Sequence, residues 1–335
     1  MITGFLAVKP KIALGLLTLF ILFGVASSAW AAAARTKIIV VVPHRILFTV
    51  ALPVYVAQEK GFYRENNIDV DAVFTRGGGE NVQAVVSGDA QIGLGTGTLA
   101  VISAFVKKAP IKIAAAEITG MDAFWYVQSN TPIRTMEDLA GKKVAYSRPG
   151  ASSHMAVLAI ADQIKAKGLK PAEPVSLGGI PEVYTAVRTG QTDAGWSVAP
   201  FQLDLVEKGL LRVVVRGEEI TAMREITPRV HFVNNDFAAK SPDAVRGFFR
   251  AQQRALDYIF ENKEDTAKIW IRRAEMKYPE TAVLKTWDYY NRAAMTLKPI
   301  RGLQATIEDG IRNKFLTQPL TQAEINNLID LSFLP

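Results

Sequence analysis

Gly77-Gly78-Gly79-Glu80-Asn81-Val82-Gln83-Ala84-Val85-Val86-Ser87-Gly88-Asp89-Ala90-Gln91-Ile92-Gly93 has a second version 102 positions later, Gly179-Ile180-Pro181-Glu182-Val183-Tyr184-Thr185-Ala186-Val187-Arg188-Thr189-Gly190-Gln191-Thr192-Asp193-Ala194-Gly195. Six of the seventeen positions are identical: three glycines, Glu80 with Glu182, and Ala84-Val85 with Ala186-Val187. Each copy reads as a loop, a helix, a tight glycine turn, a short strand and a small-residue loop, Gly95-Thr96 or Ser197-Val198. The shared order of elements predicts two lobes of similar construction.

Working outward from the first copy, Lys37 to Val42 (KIIVVV) is a continuous β-branched run, the pattern of a strand covered on both faces. Pro53 and Gly61 bracket a short helix over Val54 to Lys60, and Ile68 to Phe74 is a strand. A helix over Leu99 to Lys107 and a strand over Ile111 to Ala116 follow the first copy. Around the second copy lie strands at Lys143 to Tyr146, Pro174 to Leu177 and Arg212 to Val215, and a helix over Ser152 to Lys167. Strands alternating with short helices make an α/β fold with parallel, doubly wound sheets. From Ser241-Pro242 the chain reads as helices only, beginning with an amphipathic one through Val245, Phe248, Phe249, Leu256 and Ile259, then segments near 263–275, 280–294, 304–315 and 321–331. These pack back on the first lobe. The expected division is therefore lobe I over 35–120 and 230–335 and lobe II over 121–229, with crossings near Glu117–Trp125 and Thr227–Val233.

Residues 1–31 read as a secretory signal: Lys9 and Lys11, a fifteen-residue uncharged run from Ile12 to Ala26, then small residues around Trp30. Cleavage after Ala31 removes two lysines from the formal charge of +7 and leaves +5. The chain contains no cysteine, so disulfides, thiolate catalysis and the lipid-attachment cysteine of a lipoprotein are all excluded. An exported periplasmic protein without a lipid anchor is the expectation. Lys and Arg are scattered, the longest basic runs being pairs such as Lys107-Lys108, so the positive charge points to a basic surface and not to nucleic acid.

Two segments have the chemistry of a cradle for an anion or polar group. Leu94-Gly95-Thr96-Gly97-Thr98 joins a strand to a helix, and its glycines allow close approach while Thr96 and Thr98 stand beside the unpaired N–H groups of the helix start. Ser147-Arg148-Pro149-Gly150-Ala151-Ser152-Ser153-His154 repeats this in the second half; Ser152 or Ser153 acts there as a helix cap alone or as cap and ligand contact. Trp125 near the first crossing, Trp196 at a strand end and Phe48 are candidate apolar walls, each with core packing as the plain alternative. Arg45, Arg76 and Arg148 lie in loops after strands, the edge where open α/β sheets bind ligands, and favour an acidic solute. His44, His154 and His231 have no metal-ligand spacing, and the chain lacks a GxxxxGK[ST] loop and a G-x-S-x-G elbow, which argues against metal, nucleotide and hydrolase chemistry.

The stretch Pro53-Val54-Tyr55-Val56-Ala57-Gln58-Glu59-Lys60-Gly61-Phe62-Tyr63 resembles a signature of periplasmic binding proteins for sulfonates, taurine, nitrate and the pyrimidine precursor of thiamine. The resemblance continues through Ser87 to Gly93, Met136 to Val144, Pro149 to Ser152 and Gly190 to Gly195, covering most of 37–200. It implies a type II periplasmic binding protein, a two-lobed clamp with two crossovers that delivers cargo to an ABC permease and its ATPase. The ligand contacts it implies are Arg45 to Leu52, Arg76-Gly77, Thr96 to Thr98, Gly150 to His154 and Trp196-Ser197. The solute is expected to be sulfonate-, carboxylate- or nitrate-like, bound by a monomer with no cofactor, metal or catalytic residue. Threonines stand where a sulfonate-binding relative shows serine, which leaves the head group open. A ligand-sensing module for a membrane receptor is the alternative. The pyrimidine-synthase chemistry of eukaryotic relatives uses a cysteine-rich motif that this chain lacks.

Overall fold

The computed structural model describes Met1, Gly4 and residues 34–335; the signal expected over 1–31 otherwise lies outside the described residues. The first half runs β1 (Thr36–Val42), α1 (Ala51–Glu59), α2 (Phe62–Glu65), β2 (Ile68–Phe74), α3 (Gly78–Ser87), β3 (Ile92–Gly97), α4 (Thr98–Val106) and β4 (Ile111–Ile118). It continues through β5 (Phe124–Gln128), β6 (Lys143–Tyr146), α5 (Ser152–Ala166), β7 (Glu173–Ser176), α6 (Ile180–Arg188), β8 (Gly195–Ser197), α7 (Leu203–Glu207) and β9 (Leu211–Arg216). The last part holds β10 (Arg229–Asn234), α8 (Asn235–Lys240), α9 (Pro242–Glu261), α10 (Lys263–Ala274), α11 (Glu280–Leu284), α12 (Leu303–Arg312) and α13 (Gln322–Leu328).

The first sheet has the order β2-β1-β3-β10-β4, with β10 antiparallel to both neighbours and β1 parallel to β2 and β3. β1 is covered on both faces, with Ile38, Val40 and Val42 fully buried on one and Val41 2% exposed on the other, as its unbroken β-branched run requires. In the second half β8-β5-β9 is antiparallel and β6 is parallel to β7; a parallel bridge from Val144 to Ala194 joins the two pieces as β7-β6-β8-β5-β9. That order repeats the first sheet strand for strand. In each, the antiparallel member comes from the far side of a crossing: β10 enters the first sheet after the second half, and β5 enters the second sheet straight after the first.

This placement overturns one reading of the sequence. Trp125 belongs to β5 within the sheet and not to a crossing loop; it is fully buried and its indole N–H donates to Ala145 O at 3.2 Å. The glycine turns behave alike, Gly88 (φ 87°) ending α3 and Gly190 (φ 74°) following α6, left-handed positions that glycine fills without steric cost. α1 starts at Ala51, before the expected residue 54, which places Pro53 in the first turn where its missing N–H is not needed.

The C-terminal helices pack on the first sheet's layer. α9 lies against α1 and α2 with Val245, Phe248, Phe249 and Ile259 buried, and Phe248 stacks on Tyr63 at 5.6 Å. Phe48 is fully buried too, stacked on Tyr290 at 4.4 Å and edge-on to Trp287 and Trp270. It is therefore core and not a ligand wall. The helix expected over 280–294 stops early: α11 passes into a 3-10 turn at Lys285–Tyr289, and Tyr290 is extended. The aromatic cluster holds Tyr290, and the following segment bonds the edge of β4, Thr119 N–H to Ala294 O and Ala116 N–H to Leu297 O, both at 2.8 Å. Tertiary packing outweighs helix propensity here.

Candidate functional site

The carboxyl ends of the parallel strands in both sheets face one cavity of about 400 Å³. This is the edge at which open α/β sheets bind ligands. Three helix starts line it: Gly77 to Gly79 at α3, Ala151 to Ser153 at α5, and Gly179-Ile180 at α6. None carries a side-chain cap from the residue before the helix. The first N–H groups of a helix have no partner within it and lie at the positive end of its dipole, so the three starts together form a setting for negative charge.

Arg76 and Arg148 add cationic groups at the rim. Glu80 lies between them, 3.1 Å from Arg76 Nε and 3.7 Å from Arg148 Nη2, so one carboxylate links the start of α3 to the loop before α5. The backbone N–H of Arg76, helped by both guanidiniums, holds the Glu80 carboxyl below its usual pKa. Both arginines are exposed along much of their length and keep donors for a ligand.

Glu117 at the end of β4 and Asp122 in the first crossing also line the cavity, and each lies 2.8 Å from Arg229 at the start of β10. Burial works against the Arg229 charge, but Asp122 and Glu117 outweigh it and raise the pKa, so the guanidinium stays ionised. The triad joins the two crossing strands where a hinge would bend. His44 also lines the cavity, its Nδ1 accepting from the Ile46 N–H at 3.1 Å; burial, then Arg45, lower its pKa.

Of the residues chosen from sequence, the cavity gathers Leu47, Thr49, Val50, Arg76, Gly77, Gly97, Arg148, Ala151, Ser152, Ser153 and Trp196. Ser153 works on the loop itself: its Oγ accepts the Ser147 N–H at 3.1 Å. The other expected contacts point elsewhere. Thr96 is buried against α3, its Oγ1 accepting from Asn81 at 3.4 Å, and Thr98 donates to Thr227 O at 2.6 Å. Side chains alternate along a strand, so the residues of this segment that line the cavity are Gly95 and Gly97. Gly150 and His154 build the second loop: the His154 Nδ1 accepts the Gly150 N–H at 3.3 Å, and its ring stacks on Tyr146 at 4.0 Å. Ser197 is buried and bonds Gln202 at 2.5 Å, while Arg45 pairs with Glu275 at 2.9 Å. Phe48 and Trp125 are core, as described above.

Sequence reasoning did not select Glu117, Asp122 or Arg229. Glu117 had a signal: it is the single carboxylate in the otherwise apolar end of Ile111-Lys112-Ile113-Ala114-Ala115-Ala116-Glu117-Ile118, and a charge placed so is seldom fully buried without a partner. Asp122 and Arg229 carried none, being 107 residues apart in the chain.

The fold is that of the periplasmic binding proteins. The periplasmic aliphatic sulphonate binding protein SsuA of Escherichia coli superposes with a TM-score of 0.70 at 19% identity, covering 89% of this chain and 92% of that one. Residues 49–266 match the family described as NMT1/THI5 like, and the chain belongs to it. The taurine-binding periplasmic protein of Escherichia coli is 30% identical over 231 residues, 68% of each chain. A 4-amino-5-hydroxymethyl-2-methylpyrimidine phosphate synthase of Saccharomyces cerevisiae, THI13, is 21% identical over 240 residues, 68% of this chain and 67% of the relative.

Proposed function

We propose that this chain is an exported periplasmic binding protein that captures a small acidic solute between its two halves and presents it to an ABC permease driven by its ATPase. The carrying observation is the convergence of three uncapped helix starts and two rim arginines on one cavity between the sheets. Such a site offers N–H groups from both sides, and a solute that bonds both favours the hinge-closed state because its affinity differs between open and closed forms. The export reading rests on the segment at 1–31 and on the periplasmic relatives, and among the described residues no helix is long and apolar enough to cross a membrane. Binding without turnover is supported by the 30% identity to a binding protein and by the lack of cysteine. We read the protein as a monomer whose lobes span 35–120 with 230–335, and 121–229.

The test is a thermal-shift screen of the mature chain with sulfonates, carboxylates and neutral heterocycles. A solute at about 100 times its Kd adds about 2.7 kcal/mol to stability. Acids are expected to raise Tm and neutral heterocycles to leave it unchanged. Arg148→Ala is expected to weaken acid binding by about tenfold, whereas Arg45→Ala, whose guanidinium faces Glu275, leaves it unchanged. Stabilisation by neutral compounds alone contradicts the reading.

A further inference from the structure

Among the described residues, two buried polar atoms of the cavity wall have no hydrogen-bond partner: Glu117 Oε2 and Trp196 Nε1. Glu117 is the better defined of the two. Its side chain is 1% exposed, its Oε1 is taken by Arg229 at 2.8 Å, and its Oε2 lies 3.0 Å from where a Cβ on Gly95 would stand. A glycine with φ 61° at position 95 thus keeps side-chain atoms away from that oxygen. A buried carboxylate oxygen without a donor is costly, and native proteins seldom leave one unpaired without a functional reason. The charge count at this end points the same way. Glu117 and Asp122 carry two negative charges against the one of Arg229, whereas the helix starts and arginines at the rim are positive.

Resting on the proposed binding of an acidic solute, we propose that Glu117 is a second recognition point: it accepts a hydrogen bond from an N–H or O–H donor that the solute carries away from its acid group, while Trp196 Nε1 donates to an acceptor on the same molecule. Glu117 would then be the residue that separates donor-bearing acids from plain alkyl acids of the same size. A plain acid would leave the carboxylate oxygen unpaired in the closed cavity, and a site built for a hydrogen bond rejects analogues that lack it.

The experiment is calorimetric titration of the mature chain with matched probes: ethanesulfonate, 2-hydroxyethanesulfonate and 2-aminoethanesulfonate, and the corresponding propanoate, 3-hydroxypropanoate and 3-aminopropanoate. Within a series, the hydroxyl or ammonium member is expected to bind at least about tenfold more tightly than the alkyl member. A preference for the ammonium over the hydroxyl member assigns a charged donor, and equal affinities assign a neutral one; both support Glu117 as acceptor. In Glu117→Gln the preference for the ammonium member is expected to collapse to within about threefold; Trp196→Phe, which keeps an aromatic ring but no N–H, is expected to weaken binding of every member by about tenfold, and unchanged binding removes the indole donor from the proposal. Because the wild-type series needs no variant, misfolding of Glu117→Gln does not protect the proposal. Equal binding of all three members of a series overturns this inference and leaves the acid-binding reading standing. Failure of every probe in both series, with neutral compounds binding instead, overturns both.

Discussion

His231 sits beneath the cavity floor, fully buried, with its Nδ1 accepting the Gly95 N–H at 3.2 Å. Burial, and secondarily Arg229, push its pKa from 6.5 down to about 3. The folded chain therefore binds fewer protons than the unfolded one as pH falls through this window. Stability is full above about pH 6.5 and is lost progressively toward about pH 3, with this one residue accounting for about 2 kcal/mol at pH 5. His44 and His154 are lowered in the same direction. Denaturant titrations at pH 7 and pH 5 are expected to show a clear loss of stability that His231→Gln, which keeps an acceptor but does not titrate, reduces by that amount. An unchanged pH slope in the variant would show that the ring is not buried neutral. The residue scale is also where sequence reading was weakest. Hydroxyls beside helix starts point to anion binding at Thr96 and Thr98, but whether a strand residue faces in or out depends on register, and a shift by one exchanges the faces. Glycines at 95 and 97 fit the cavity side because they leave it open. Trp125 and Phe48 were legible as large apolar groups, yet nothing local separates a core aromatic from a cleft aromatic.

At the scale of elements, β3 and the start of α5 come so close that a Cβ on Gly97 would lie 3.0 Å from Gly150 O and 3.2 Å from Ser152 N. Both neighbours are backbone and cannot turn aside as a side chain would. Gly97→Val is therefore expected to hold the halves apart, lowering affinity for an acidic probe by at least about tenfold while the Tm of the ligand-free chain changes little, as titration and melting curves on one sample would show. Retained affinity would mean that this contact is not part of the bound form. Elements were the best-read level of the chain. The run at Lys37 to Val42, the glycine turns at 88 and 190 and the amphipathic spacing of α9 each depend on local physics that a sequence carries. The helix expected over 280–294 failed because the stacking of Tyr290 on Phe48 lies far away in sequence.

Over the whole molecule, the two sheets share one strand order, and each borrows its antiparallel strand across a crossing. The duplicated segment at 77–93 and 179–195 made this arrangement legible, since equivalent helices and strands built from similar sequence fold into equivalent places. The buried triad of Glu117, Asp122 and Arg229 was not legible, because it forms only when the two crossings are brought side by side. Its position makes one polar knot serve both the crossing strands and the cavity wall. Breaking such a group leaves an uncompensated buried charge, which is why it holds the crossing strands in fixed relation.

In the proposed function, backbone amides from both halves take hold of the same acid. The direct measurement is amide NMR of the isotope-labelled mature chain during titration with an acidic probe that raises its Tm. The N–H signals of Gly78 and Gly79 at α3, of Ser152 and Ser153 at α5 and of Ile180 at α6 are expected to move together, saturating at one common concentration. Shifts confined to one of the two halves, or clustered away from these helix starts, would contradict the account.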